Sequence, residues 1–466
     1  MADTPTVSRP AATSGTAADQ AASPNGTGST NPLRVSLFTD NYGPSPSGLL
    51  YAVHFLEGEL LRHGHQVQVV APQCHGHSPH ASHPHRRELR LPSIKFLPGL
   101  PMAIASGRGF EAALTRLAQD RPDIIHVHGL GPVGLLGMWA ADRLSIPLMV
   151  TWHTDFEAYA DHYALVTPFA DAFYRALKVI TNGPSRSAII DDMRDLIAPR
   201  SWGRSNISRR NLLRAARDML EAADLVTTPS GKTAIRCQEL APDARIQVVP
   251  NGVNPLPEGA ALPRSSGTRI LYAGRIAPEK NISLLLKAFT WVREELPQAE
   301  LMIVGDWRVG GRLEQKLRRA RHQGVSLVGQ VPREDLQPYY ASADVFAFPS
   351  TTDTQALVLH EAAHAGLPLV SCDPELTLVL DEGVNGVIAR PTPESLARQI
   401  GEVLRAIEDP AVRSRVAQHS RELAAQWTIE RQSADIIRLY SSVAAGRRME
   451  SHTRRESSAR NIPDSR

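Results

Sequence analysis

Residues 349–362 read PSTTDTQALVLHEA, a turn with two acids that leads into a helix. The preceding segment, 343–348, is short and apolar, which predicts a buried strand, and residues 357–365 have the pattern of a helix that ends before a glycine. Free backbone N–H groups at a helix start attract anions. Ionised carboxylates accept hydrogen bonds from sugar hydroxyls, and Asp353 and Glu361 flank this helix start. The stretch therefore predicts a nucleotide-sugar site, with the diphosphate at the helix start and hydroxyls on the carboxylates.

The rest of the chain alternates strands and helices in two blocks. The first block begins with a strand at 34–38 and a helix at 47–63, in which apolar residues recur at helical spacing. The second begins after residues 250–267, a segment rich in Pro and Gly that predicts a linker. Alternation of this kind favours an α/β fold with mostly parallel, doubly wound sheets. Further strands are predicted at 66–70, 123–128, 147–151, 224–227, 246–249, 269–274, 300–305 and 325–329.

Bulk composition narrows the class of protein. The 466 residues are enough for two domains and flanking tails. A net charge of +3 with 21% charged residues gives no reason to expect a nucleic-acid partner. Three scattered cysteines indicate a reducing compartment, and no apolar run approaches the ~18 residues that span a bilayer. We therefore expect a cytoplasmic protein with a disordered lead at residues 1–32 and a disordered basic tail at 446–466.

Residues 353–362, DTQALVLHEA, resemble the Glu-x7-Glu signature of the retaining glycosyltransferases of family four, which usually reads Glu-Thr-Phe-Gly-Leu-Val-x-x-Glu-Ala. The spacing of the acids is intact, whereas Asp replaces the first Glu and Gln-Ala replaces Phe-Gly. The resemblance covers residues 33–440 and implies a B-type fold, in which two Rossmann-like domains face each other across a cleft. It implies an acceptor-binding domain at 33–257, a nucleotide-sugar-binding domain at 266–426, and a last helix, 427–445, that crosses back onto the first domain.

The resemblance also assigns roles to residues of the second block. Residues 274–281, GRIAPEKN, match the family loop Gly-Arg-x-x-x-Glu-Lys-Gly, except that Asn stands at the final Gly. Arg275 and Lys280 are therefore expected to hold the donor diphosphate and to stabilise its growing charge. Asp353 is expected on the transferred sugar and Glu361 on the nucleotide ribose. The other donor-binding candidates are Gly48 in the glycine loop of the first block, Val331 beside the base, and Gln355, Ala356, Leu357 and Val358.

Residues 151–156, TWHTDF, resemble a His-Thr-Asp-Phe string of glycolipid-forming members of the family. The resemblance implies that His153 touches the donor sugar near its anomeric carbon. His126 and His128 end a neighbouring strand, and we interpret them as structural histidines. The catalytic candidates are His153, Arg275, Lys280 and Asp353, and the acceptor-side candidates are Tyr42, Asp155 and Tyr159.

Residues 74–85 contain one cysteine and five histidines, a composition that can hold a transition metal. A polar, proline-containing surface loop is the other interpretation, and the family needs no metal at this place. We therefore expect neither a metal nor another cofactor, since the nucleotide sugar is a substrate.

The acceptor is the part of the reaction that the sequence leaves most open. Residues 94–106 are mostly apolar, and residues 200–217 carry six arginines against few acids, so both suit an anionic membrane surface. We predict a retaining hexosyltransferase that moves a sugar from a UDP- or GDP-linked donor to a hydroxyl acceptor. A membrane lipid such as diacylglycerol or phosphatidylinositol fits these segments, with the protein on the inner membrane face. The alternatives are a soluble acceptor such as an aminocyclitol, a nucleotide-sugar epimerase, and a non-catalytic nucleotide-sugar binder.

Overall fold

The structure is a computed structural model that describes residues 32–43, 48–73, 80–97, 100–103, 107–129, 131–153, 213–214, 216–263 and 267–460. Within these ranges the chain forms two parallel β-sheets with helices on their faces. We call the part built on the first sheet the first lobe and the part built on the second sheet the second lobe. The two lobes confirm the predicted α/β fold class.

The first lobe has a seven-stranded sheet in the order β3-β2-β1-β6-β7-β8-β9, with all neighbouring strands parallel. The strand order changes direction beside β1 and β6, which is where doubly wound sheets open a ligand crevice. Strands β4 and β5 form a separate antiparallel hairpin. In chain order the elements are β1 (Arg34–Phe38), α1 (Gly48–Arg62), β2 (Gln66–Pro72), β3 (Arg86–Leu91), β4 (Ser93–Leu97), β5 (Leu100–Ala103), α2 (Gly107–Asp120), β6 (Ile124–Val127), α3 (Pro132–Leu144), β7 (Leu148–Thr151), β8 (Leu225–Thr228), α4 (Gly231–Leu240) and β9 (Ile246–Val248).

The second lobe has a six-stranded parallel sheet in the order β12-β11-β10-β13-β14-β15. Its strand order changes direction beside β10 and β13, so a second crevice opens at the ends of these two strands. In chain order the elements are β10 (Arg269–Ala273), α5 (Ile282–Glu295), β11 (Glu300–Val304), α6 (Gly311–Ala320), β12 (Val325–Gly329), α7 (Gln337–Ala341), β13 (Val345–Phe348), α8 (Leu357–His364), β14 (Leu369–Ser371), β15 (Gly386–Ile388), α9 (Pro393–Ala406), α10 (Pro410–Ala424) and α11 (Ile429–Arg460).

The last helix, α11, packs on the first lobe although it follows the second in the chain. Helix α1 buries Val53 and Leu56 in a cluster on one face of the first sheet, and α11 adds Ile436 and Tyr440 to the same cluster. These residues recur three or four positions apart, which places them on one side of each helix. The apolar side of α11 therefore ties the end of the chain to the first lobe.

Some elements differ from the sequence prediction. Strand β3 reads RRELRL and was not predicted, because this edge strand carries four charged residues and shows no apolar pattern. Strands β14 and β15 are too short to show a periodic pattern. Helix α11 runs on to Arg460, through residues that the sequence predicted as part of a disordered tail. This stretch is rich in Arg and Ser and has no proline, so helix propensity does not strongly oppose the extension.

The linker between the lobes is held against the start of α11. Gly252 N donates to Gln432 Oε1 at 2.8 Å, and Val253 N donates to Trp427 O at 2.8 Å. A Cβ on Gly252 would lie 2.1 Å from Thr428 O, so this position admits only glycine. The close approach fixes where the chain leaves the second lobe and returns to the first.

Candidate active site

Three loops that follow strands of the two sheets meet in one region. Residues 274–281 follow β10, residues 349–356 follow β13, and residues 152–153 follow β7. Parallel sheets bind ligands beyond the carboxyl ends of their strands. Thr354 Oγ1 in the second lobe donates a hydrogen bond to His153 O in the first lobe at 3.1 Å. The region therefore contains backbone from both lobes.

Asp353 is mostly buried and forms an ion pair with Lys280, which joins the loop after β13 to the loop after β10. Burial alone would raise the pKa of Asp353, but the neighbouring Lys280 ammonium lowers it below its usual value. The second carboxylate oxygen, Oδ2, accepts no hydrogen bond from the residues that the structure describes. Asp353 is thus an ionised carboxylate whose second oxygen is enclosed by the protein with no hydrogen-bond partner among the described residues.

Arg275 lies on the loop after β10 and is more exposed than Lys280. Its guanidinium pairs with Glu279 at 2.5 Å, with 55% of the Arg275 side chain exposed to solvent. Tyr272 Oη donates to Arg275 O at 2.8 Å and so holds the loop backbone. Asn281 ends the loop with a φ of 58°. Asn tolerates this left-handed conformation better than most residues, which explains how it replaces the glycine of the motif.

Glu361 is buried in α8 and is held by two side chains. Arg333 Nε donates to Glu361 Oε1 at 2.9 Å, and Tyr340 Oη donates to Oε2 at 2.9 Å. Burial raises the pKa of Glu361, and the Arg333 charge offsets part of that rise. The Arg333 guanidinium also lies 5.2 Å from the ring centroid of Phe55 in α1. This carboxylate of the second lobe is therefore connected to the first lobe through one arginine.

The starts of α1 and α8 face each other across the region. A Cβ built on Gly48 would lie 3.8 Å from Leu357 Cδ1. Val331 and Val358 are partly buried against the apolar cluster beneath α8. Gly48, Leu357, Val358 and Glu361 are thus gathered around the start and inner face of one helix, with Val331 at its side.

Ala356 and Gln355 stand where the family motif has Gly and Phe. Ala356 precedes α8 with φ 60° and ψ 75°, a left-handed conformation that glycine adopts without strain. Gln355 is buried: its Oε1 accepts from Asn251 N at 2.7 Å, and its Nε2 donates to Asn251 O at 2.8 Å. The amide is therefore bonded to the linker, and donor binding by Gln355 stays a prediction.

Three histidines form a file that runs from α11 to the loop after β7, with His126 and His128 buried and His153 half-buried. His126 uses both ring nitrogens, with Tyr440 Oη and Thr151 Oγ1 each at 2.6 Å. His128 Nδ1 lies 3.0 Å from His153 Nε2, and the two rings stack. Burial lowers the pKa of all three histidines, that of His153 to about 4. All three are therefore neutral near pH 7, and His153 offers an uncharged ring to the site.

Family models match most of the chain. Residues 47–255 match the model described as Glycosyltransferase Family 4, and residues 267–406 match the model described as Glycosyl transferases group 1. The chain belongs to the family-four glycosyltransferases. It is a hexosyltransferase that uses a nucleotide-sugar donor.

The relatives of this glycosyltransferase include one enzyme named for a glucosylated lipid and one named for a nucleotide-sugar donor. The Alpha-monoglucosyldiacylglycerol synthase of Streptococcus pneumoniae is 27% identical over 361 residues, 76% of this chain and 75% of that protein. The GDP-mannose-dependent alpha-mannosyltransferase of Mycobacterium tuberculosis is 26% identical over 349 residues, 73% of this chain and 79% of that protein. The sucrose-phosphate synthase of Thermosynechococcus elongatus has a similar fold, with a TM-score of 0.65 at 20% identity, covering 89% of this chain and 100% of that one. These similarities support the B-type arrangement of two lobes.

Tyr42 packs against α1 and β3 of the first lobe. Its ring is buried, its hydroxyl bonds to the Glu57 carboxylate in α1, and the Arg90 guanidinium lies 5.0 Å from its ring centroid. These contacts hold the loop after β1 against α1 and β3, and the acceptor-side role of Tyr42 stays a prediction. The other two acceptor-side candidates, Asp155 and Tyr159, lie outside the described residues.

The histidine-rich segment 74–85 is described only from His80 onward. His80 Nε2 lies 3.2 Å from His54 O, a contact with the backbone of α1. Across the ranges that the structure describes, no three acidic, cysteine or histidine side chains are placed to hold a metal ion.

Two residues of this region were not predicted. Arg333 belongs to no recognised sequence motif. Its pairing with Glu361 forms only in the folded chain, where the loop after β12 meets α8. Asp40 lies just after β1. Its position beyond the carboxyl end of a parallel strand could have marked it as a site candidate from the sequence. Its carboxylate accepts from Gly131 N at 2.9 Å and Val133 N at 2.8 Å at the start of α3, and burial raises its pKa to about 6. Asp40 thus joins the end of β1 to the start of α3, which follows β6 in the chain.

We expect Ala356→Gly to stabilise this glycosyltransferase. Removing the Cβ relieves roughly 1–2 kcal/mol of left-handed strain, which exceeds the about 0.4–1 kcal/mol lost to the freer unfolded chain. Ala365→Gly is the matched control, because Ala365 has a φ of −70° and its replacement brings only the loss. Urea unfolding measures both variants, and equal destabilisation by the two would contradict the strain at Ala356.

We expect the histidine file to make stability depend on pH. An unfolded histidine protonates near pH ~6.5, whereas His153 in the fold has a pKa of about 4. Between these values the unfolded chain binds more protons, so stability falls as the pH decreases, by up to about 1.4 kcal/mol per pH unit. Asp40 acts in the opposite direction, because its raised pKa gives the folded state the extra proton below about 6.

The measurement is therefore a difference between variants. Urea unfolding at about pH 7 and about pH 5 should show a smaller loss of stability for His153→Gln than for the wild type. His322→Gln, at an exposed position of the second lobe, should behave like the wild type. The same pH dependence in all three proteins would show that His153 is not held neutral by burial.

Proposed function

We propose that this glycosyltransferase is a retaining enzyme that moves a hexose from a UDP- or GDP-sugar to the hydroxyl of a membrane lipid. The observation that carries the proposal is the buried Lys280–Asp353 ion pair in front of α8. It offers a cation for the diphosphate and a carboxylate for sugar hydroxyls at one place. The names of the relatives supply a lipid product, alpha-monoglucosyldiacylglycerol, and a donor, GDP-mannose.

The proposed donor site uses residues of both loops of the second lobe. The diphosphate lies at the start of α8, where backbone N–H groups are free, with Lys280 and Arg275 as counter-charges. Preorganised cations lower the barrier because the leaving nucleoside diphosphate gains negative charge as the bond to the sugar breaks. Asp353 accepts from the hydroxyls of the sugar, and Glu361, held by Arg333, accepts from the ribose. We propose that these two cations make a metal ion unnecessary.

The proposed transfer keeps the configuration of the anomeric carbon. The acceptor oxygen bonds to that carbon on the face from which the nucleoside diphosphate leaves, and the bond from the carbon to the phosphate oxygen breaks. The proton of the acceptor hydroxyl moves to the leaving phosphate oxygen. UDP-glucose and GDP-mannose hold their sugars through α-linkages, and the relatives are named for alpha products, so an α product here means retention.

The proposed lipid acceptor requires contact with a membrane surface. None of the helices within the described ranges has the length and apolar character of a bilayer span. Peripheral binding to an anionic inner face is supported by the six arginines of residues 200–217 and by the apolar segment 94–106. Transfer is favoured over an epimerase or a non-catalytic binder, because the matching family models and relatives are transferases.

We expect the purified protein to hydrolyse one nucleotide sugar slowly without acceptor and to glycosylate diacylglycerol in anionic vesicles. The assay compares UDP-glucose, UDP-galactose and GDP-mannose, and nuclear magnetic resonance of the product gives its anomeric configuration. Vesicles without diacylglycerol are the negative control, and a soluble aminocyclitol is the alternative acceptor. Transfer to the soluble compound alone would overturn the lipid acceptor, a β product would overturn retention, and nucleotide binding without any turnover would indicate a binding protein.

We expect Glu361 and Asp353 to separate nucleotide binding from turnover. Glu361→Gln should weaken binding of the nucleoside diphosphate about ten- to a hundredfold, because a charge-assisted hydrogen bond contributes ~1.5–3 kcal/mol. Asp353→Asn should leave that affinity unchanged and lower kcat. Calorimetry and the hydrolysis assay measure the two effects, with the exposed Glu295→Gln as control. Loss of nucleotide affinity in Asp353→Asn alone would reverse the two assignments.

A further inference from the structure

Lys232 belongs to the first lobe, yet its ammonium is buried among atoms of the second lobe. It is the second residue of α4, and 2% of its side chain is exposed. Nζ donates to Asp373 Oδ2 at 2.5 Å and to Thr351 O at 2.9 Å, with Glu375 Oε2 3.7 Å away. Asp373 and Thr351 follow strands β14 and β13 of the second sheet. The contact therefore joins the two lobes.

The Lys232–Asp373 ion pair is buried, so its stability depends on close contact geometry. An ammonium and a carboxylate that leave water lose several kcal/mol of hydration each, and only close pairing with further hydrogen bonds offsets that loss. Asp373 is 1% exposed at its side chain, and its Oδ1 accepts from Glu375 N at 3.1 Å. The Lys232 ammonium and the Asp373 carboxylate meet only in this arrangement of the lobes, so the contact specifies one position of α4 against the loops after β13 and β14.

The loop that Lys232 contacts carries Asp353. Thr351, whose carbonyl accepts from Lys232, lies just before Asp353 in the chain. Thr233, the next residue of α4, donates from Oγ1 to Thr354 O at 3.4 Å, just after Asp353. The first lobe thus holds the backbone on both sides of this carboxylate.

We propose that Lys232 is a positioning residue for sugar transfer: it joins α4 to the 351–354 loop and to Asp373, and so sets the Asp353 carboxylate against the transferred sugar when the lobes are together. The inference rests on the proposed function and adds to it a residue of the opposite lobe. Lys280 holds Asp353 from within the second lobe. Without Lys232 the Lys280–Asp353 pair remains, but the loop loses its connection to the first lobe, so turnover falls while nucleotide binding persists.

The local sequence offers one other role for this lysine. Gly231-Lys232-Thr233 resembles the end of a phosphate-binding loop, in which the lysine reaches the phosphates of a nucleotide. Two short contacts already direct the ammonium toward Asp373 and Thr351, away from solvent. A phosphate ligand would appear as a loss of nucleotide affinity, which the experiment measures separately.

The test compares Lys232→Met with Lys287→Met in the full-length protein. Lys232→Met removes the ammonium and keeps an unbranched side chain one atom shorter, and Lys287 is an exposed lysine of α5. Donor hydrolysis without acceptor gives kcat and KM, so the result does not depend on which acceptor is correct, and calorimetry gives the Kd of the nucleoside diphosphate. We expect kcat of Lys232→Met to fall about tenfold or more, with its Kd within about twofold of the wild type. Lys287→Met should match the wild type in both.

Two further variants keep the result interpretable. Lys232→Met leaves Asp373 as an unpaired buried charge, whereas Lys232→Met/Asp373→Leu removes both charges and retains a folded protein, as its unfolding temperature should show. We expect this double variant to show the same loss of kcat. In an Asp353→Asn background, Lys232→Met should add little further loss, because both changes act through the same carboxylate.

Each contrary outcome has a separate meaning. Unchanged kcat in the folded double variant, or full additivity with Asp353→Asn, would overturn the positioning role. A tenfold rise in Kd with unchanged kcat would assign Lys232 to the donor phosphates instead. If the wild type hydrolyses no donor, the proposed function fails and the positioning role fails with it; if the wild type is active, only the positioning role is at stake.

Discussion

The ion pair between Lys280 and Asp353 is the contact on which the arrangement of the site depends. It joins the loops after β10 and β13. These are the two neighbouring strands at which the strand order of the second sheet reverses. Because both side chains are largely withdrawn from water, each charge needs the other, and loss of either partner would leave an uncompensated charge. The pair thereby keeps one carboxylate ionised at the start of a helix, where a diphosphate and a sugar can be held together.

Residues beside the Lys280–Asp353 pair contact the first lobe and the linker. The amide of Gln355 bonds to the linker backbone at Asn251, the guanidinium of Arg333 lies against Phe55, and Thr354 bonds to the backbone of His153. Each contact joins a residue beside the donor site to an element of the first lobe or to the linker. The residues that act on the donor and the residues near His153 are therefore brought into one geometry by the approach of the lobes, not by either lobe alone.

The departures from the family motif have local structural reasons. Asn281 and Ala356 both adopt positive φ, at 58° and 60°, where the motif has glycine. Asn fills such a position at little cost, whereas Ala retains strain that its neighbours must offset. Gln355 supplies an offset, since its buried amide bonds twice to the linker. One of the substituted motif residues is thus bonded to the linker between the lobes.

The sequence alone determined the elements and residue pairs that local pattern encodes. Buried strands such as β1, β10 and β13 are apolar and bounded by turn residues, and Arg275, Lys280, Asp353 and Glu361 stand at motif spacing, so their loops were predictable. Tertiary structure decided which polar group pairs with which. Tyr42 turns into the core, Arg333 pairs with Glu361, and Lys232 meets Asp373 from 141 residues away in the chain. Local pattern reports burial and backbone preference over a few residues, whereas the partner of a buried charge is chosen by segments that meet only after the sheets have formed.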